Sequence, residues 1–169
     1  MIMRFYAILL ATLAFSTAPA HADYIVSFFA HEHSGDFPHA FITISGAPKG
    51  SGAHVEESYG FTVKTLTPAI LMGSAPGKVE NESAHYIKTS QKQFSLNISD
   101  AQYAALKGVV ARWQVQPDSV YNLNKHNCVS FVADIAKTLG LSADIPKGLI
   151  KHPKAYLETV MRANPSLKP

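Results

Sequence analysis

The chain has 169 residues, 15 of them basic and 12 acidic, and its net charge of +3 is scattered with no basic run. That distribution argues against nucleic acid as the main partner, because nothing is arranged to track phosphates. There is one cysteine, Cys128, so no internal disulfide is available and the fold must be held by packing.

The first elements in chain order read as an export signal. Arg4 supplies a positive start, Phe5 to Ala14 is apolar apart from Thr12, and Ala20-His21-Ala22 is an Ala-x-Ala cleavage pattern. A second such pattern, Ala18-Pro19-Ala20, overlaps it and leaves the cut ambiguous. The apolar run is shorter than the roughly 20 residues that a membrane-spanning helix needs. We expect a signal peptide over 1–22, a periplasmic or secreted location, and a single domain over 23–169 with no stable membrane insertion after cleavage. Without the signal, which carries Arg4 and no acid, the domain holds 14 basic and 12 acidic residues.

The domain opens with strand-like runs at Tyr24–Ala30 and His39–Ile44. A turn follows over Gly46–Gly52, then a partner strand over Val55–Val63. A loop is expected from Thr67 to Gly77, and another strand between about His85 and Ile98. The second half reads as helical. Ser99-Asp100-Ala101-Gln102 is a capping box, with Ile98 and Tyr103 placed to form a hydrophobic staple. Ala104, Leu106, Val109, Val110 and Trp113 make an apolar stripe that Pro117 ends. A second helix starts near Cys128, carries Val129, Val132, Ile135, Ala136 and Leu139 at helical spacing, and closes at Gly140. Pro153 opens a last short helix with Tyr156, Leu157 and Val160 inward. Strands first and helices afterwards give an α+β class.

The chemistry centres on Cys128. Asn127 is a good N-cap, which places Cys128 at the first helical position, where unpaired N–H groups and the helix dipole favour a thiolate. Those N–H groups also face the place where an oxyanion forms when the thiolate attacks a carbonyl. A free cysteine is otherwise commonly a small buried hydrophobe. Of the seven histidines outside the signal, His39 at a strand end is the best candidate for the base. His126, two residues before the cysteine, should point away from the thiol. His31-Glu32-His33, with His39 as a possible third ligand, is a weaker metal reading, and no metal or other cofactor is expected.

The strings His39–Ile44, Glu57–Phe61, Tyr121–Leu123 and Asn127–Val132 together resemble the circularly permuted branch of the NlpC-type papain-like superfamily, which includes the lecithin:retinol acyltransferase-like proteins. Asn127-Cys128-x-x-Phe131-Val132 at a helix start is the most specific part, and the histidine strand preceding the cysteine helix matches the permuted order. The resemblance covers about residues 25–142. It implies a small antiparallel sheet packed on helices, Cys128 as nucleophile and His39 as base. It also implies a third polar group, from the strand after His39, that orients the imidazole. A hairpin turning near Lys49 offers Glu57 for that role, and a tighter turn offers His54. Permuted members that carry a second histidine have it about a dozen residues after the first, where this chain has Ser51. The expectation is an exported thiol hydrolase cleaving an amide, with cell-wall peptide (peptidoglycan amidase or endopeptidase) as the first substrate. A lipid thioesterase or acyltransferase, or a catalytically silent binding domain, stands as the alternative. Oligomeric state is not legible.

Overall fold

The computed structural model describes residues 24–32, 37–48 and 53–167. The signal segment, His33 and Ser51 lie outside these residues. The first three strands are β1 (Tyr24–His31), β2 (His39–Gly46) and β3 (Val55–Val63). They are followed by β4 (Ser74–Glu80), helix α1 (Ala84–Thr89), β5 (Gln91–Ile98) and α2 (Asp100–Trp113). The chain continues through β6 (Val120–Asn122), α3 (Cys128–Thr138) and α4 (Pro153–Ala163). The six strands form one antiparallel sheet in the order β5-β1-β2-β3-β4-β6. The class is α+β, as the sequence order of strands and helices implies.

Period-two alternation divides the sheet into two faces. Ala40, Ile42 and Ile44 of β2 join Val26, Phe28, Phe61 and Phe94 in the main core, against Phe131 and Ile135 of α3 and Tyr156 and Leu157 of α4. Burying each such aromatic or aliphatic side chain is worth about 1.5–3 kcal/mol, which suits a chain that cannot form a disulfide. The other face is covered over part of its area by α1. There Phe41 stacks on Phe29 at 5.1 Å between ring centroids and meets Tyr86 at 5.7 Å.

Both helix caps form. Gln102 N–H donates to Ser99 Oγ at 3.3 Å, and Ser99 N–H donates to Gln102 Oε1 at 3.0 Å. Tyr103, at the staple position, stacks on Tyr24 with centroids 4.2 Å apart. Trp113 lies edge-on to Phe61 and Phe131, and its indole N–H donates to Asp134 Oδ2 at 2.7 Å, tying α2 to α3. Gly140 closes α3 with φ +87, a left-handed conformation that glycine adopts without a Cβ clash.

The sequence expectation fails in two stretches. Thr67–Gly77 is not one loop: Pro68–Leu71 forms a 3₁₀ turn, and β4 starts at Ser74. Pro76 and Gly77 are tolerated in β4 because its outer neighbour is only the three-residue β6. The strand expected from about His85 is instead α1 followed by β5. Ser83 Oγ accepts the Tyr86 N–H at 3.2 Å and starts a helix there.

Candidate active site

The β2–β3 register decides which residues can reach His39. Phe41 pairs with Gly60, Thr43 with Ser58 and Ile44 with Glu57. The register differs by three residues from the one that a hairpin centred near Lys49 would give, and a slip by an odd number of residues reverses every side chain. Gly60 and Ser58 share the face of His39, while Glu57 is on the opposite face. Glu57 there accepts a hydrogen bond from Tyr103 Oη at 3.1 Å and an ion pair from Lys107 Nζ at 3.0 Å. It is not the partner of His39. His54 is also excluded from that role, being exposed and paired with Glu56 Oε1 at 2.7 Å.

The partner is Glu82, in the turn between β4 and α1. Its Oε1 lies 3.1 Å from His39 Nε2, and the two side chains are 10% and 14% exposed. Ser58 holds this carboxylate in place through the backbone: its Oγ accepts the Glu82 N–H at 2.8 Å and donates to the Glu82 carbonyl at 3.3 Å. Gly60 lies beneath the pair. A Cβ built there would come within 2.5 Å of both Glu82 Oε1 and His39 Nε2, so the imidazole–carboxylate contact depends on a bare backbone at that point.

Besides Glu82, the His39 side chain interacts with Cys128. Burial pulls the His39 pKa down, but hydrogen bonding to Cys128 and Glu82 and the charges of both outweigh it. The imidazole is pushed from 6.5 up to about 10. It is therefore an imidazolium at neutral pH.

Cys128 is the first residue of α3 and is buried. Asn127 Oδ1 accepts the Val129 N–H at 2.8 Å and also the Ser130 N–H, and Ser130 Oγ accepts the Asn127 N–H at 3.4 Å. Asn127 Nδ2 donates to Leu123 O at 2.9 Å and to Ile150 O at 2.7 Å, which fixes the cap in space. The cap thus takes up the N–H groups of the second and third helical residues. Of the helix-start donors expected to face an oxyanion, the Cys128 N–H is the one left over.

Cys128, His39 and Glu82 line one cleft of about 570 Å³ together with Tyr121 and Tyr86. The Tyr121 phenol is pushed up to about 12, first by burial and then by the charge of Cys128, so it keeps its proton as a donor. His126 points away from the thiol, as expected: its Nδ1 is 2.8 Å from Val120 O, and its ring stacks on Trp113 at 4.1 Å. His31 is buried with Nδ1 3.0 Å from Ser90 Oγ, and Glu32 Oε1 accepts the Lys154 N–H at 3.3 Å. Among the described residues no group of His, Cys, Asp and Glu is arranged to hold a metal ion.

Sequence reasoning missed Glu82, Ser58, Gly60 and Tyr121. Two signals were present: Ser83 as a helix N-cap, which puts Glu82 in a turn, and Gly60 inside a strand, which marks a close approach. Comparisons of the chain with protein-family models, with curated proteins and with solved structures find no match.

Proposed function

We propose that the protein is an exported cysteine hydrolase that cleaves an amide by acyl transfer, with cell-wall peptide as its first candidate substrate. The observation that carries this reading is the His39 imidazole placed with Glu82 and a helix-initial Cys128 in one open cleft. Cys128 attacks the carbonyl carbon as a thiolate, and the C=O electron pair moves onto oxygen. The Cys128 N–H and the Tyr121 hydroxyl are the donors for that oxyanion. His39 gives its proton to the leaving nitrogen as the C–N bond breaks, leaving a thioester. The neutral imidazole then takes a proton from water, whose oxygen attacks the thioester and releases the acid and the thiol. Glu82 fixes the ring orientation and stabilises its charged form throughout.

A second reading, hydrolysis or transfer of an acyl ester by the same groups, is favoured by one observation. A largely apolar side pocket of about 280 Å³, lined by Phe37, Leu66, Thr67, Pro68, Ile70 and Leu71, adjoins the cleft. The deciding experiment incubates the protein and its Cys128→Ala variant with muropeptides and separately with phospholipids, followed by mass spectrometry. Cleaved stem peptide that depends on Cys128 supports the amidase, and released fatty acid supports the ester reading. No Cys128-dependent product from either class favours a silent binding domain.

A further inference from the structure

The described residues include six exposed large hydrophobic side chains, and four of them, Phe37, Leu66, Leu71 and Met72, gather at one place. Phe37, Leu66 and Leu71 line the same apolar pocket, and Met72, 92% exposed, follows Leu71 directly. Scattered single hydrophobes on a surface need no explanation, but a contiguous cluster marks an interaction site. This one surrounds the 3₁₀ turn Pro68–Leu71 beside the Cys128 cleft, with Phe37 and Leu66 shared between cleft and pocket.

The charge around the cluster selects the partner. From Phe61 to Val79 the chain contains Lys64 and Lys78 and no acidic residue. Lys78 is tied to Glu80, whereas Lys64 and Lys151, which line the same cleft, have no ion pair among the described residues. The two acids lining the cleft, Glu80 and Glu82, are both engaged, one with Lys78 and the other with His39. Among the described residues the rim therefore presents apolar side chains flanked by the two lysines without an ion pair, while Asp36, next to Phe37 in sequence, lies outside them. No helix among the described residues is long and apolar enough to cross a membrane, so the cluster suits shallow seating rather than spanning.

We infer that this rim docks on the surface of a bilayer rich in anionic phospholipid. Leu66, Leu71, Met72 and Phe37 enter the boundary between headgroups and acyl chains, and Lys64 and Lys151 meet the phosphates. Docked in this way, the side of the cleft lined by Phe37 and Leu66 lies against the bilayer. The inference does not depend on Cys128 chemistry and holds for a silent domain as well.

The test places a reporter in the rim itself. The protein has one tryptophan, Trp113, which is buried, so Met72→Trp in the full chain adds an exposed fluorophore that reads this turn and not the apolar N-terminal run. Vesicles containing phosphatidylglycerol should shift its emission to the blue, and brominated acyl chains should quench it. Apparent affinity should fall about fivefold for each of Lys64→Gln and Lys151→Gln. Leu71→Glu in the same background should abolish the shift, and Cys128→Ala should leave it intact. Emission that ignores vesicles of every composition overturns the inference. So does a blue shift that appears without lipid as protein concentration rises, which would identify a second copy as the occupant. Equal binding to phosphatidylcholine vesicles overturns the role assigned to the lysines.

Discussion

Residue by residue, the surroundings of His39 separate two acids. Glu82 touches the ring, and Glu57 lies across the sheet with Tyr103 and Lys107. Removing the charge of Glu82 weakens a charge-assisted hydrogen bond worth about 1.5–3 kcal/mol, so Glu82→Gln should lower kcat about 10- to 100-fold. It should also move the alkaline limb of the pH–rate profile to lower pH, since Glu82 helps to keep His39 protonated. Glu57→Gln should leave the rate and the profile nearly unchanged. The reverse pattern in steady-state kinetics would return the role to Glu57. His39 also links pH to stability. Its folded pKa of about 10 against an ordinary 6.5 means that the folded chain keeps a proton which the unfolded chain has released. The stabilisation is complete below pH 6.5 and is lost as pH rises toward 10. Thermal melts across that window should therefore show a steeper decline for the wild type than for His39→Gln, and parallel curves would rule the linkage out.

At the scale of elements, two features hold the site together. The middle of β3 must be bare at Gly60, because a Cβ would strike the ends of both His39 and Glu82. Those atoms belong to side chains that can swing away, so Gly60→Ala should keep a near-native melting temperature while kcat falls at least tenfold. Loss of stability with kcat preserved would contradict this. Asn127, 1% exposed, serves α3 differently. It caps the helix with Oδ1 and binds two carbonyls with Nδ2. Asn127→Ala removes the cap and strands buried acceptors, so urea denaturation should show a loss on the order of 3 kcal/mol.

Much of this was legible in the chain. The Ser99–Gln102 box, the Asn127 cap ahead of Cys128, the inward stripe of α4 and the span of β3 all follow from local chemistry, because caps and periodicity act within a turn or two. The β2–β3 register was not legible. It depends on how eight residues between Gly46 and Val55 close a turn, and one step either way exchanges Glu57 for Ser58 on the face of His39. Glu82 was hidden for a related reason. Its approach to His39 spans 43 positions of sequence, and a strand assigned from His85 gave no cause to look for a functional turn just before it.

Taken as a whole molecule, the sheet has two outer strands, and both are poor templates for growth. β6 offers only three residues, and β5 carries Gln91, Lys92 and Gln93 at one end, beside a break in register opposite Phe28 and Phe29. Short length, a charged side chain and a local irregularity are the devices that keep a sheet border from recruiting another chain. The fold has no disulfide to shelter it if it loosens, so this blunting guards it against stacking into fibrils. Lys92→Ile would remove the charge and raise the β-propensity of that border together. Static light scattering during prolonged incubation should show the variant accumulating large particles sooner than the wild type, with the sheet, rather than the apolar rim, as the surface that propagates.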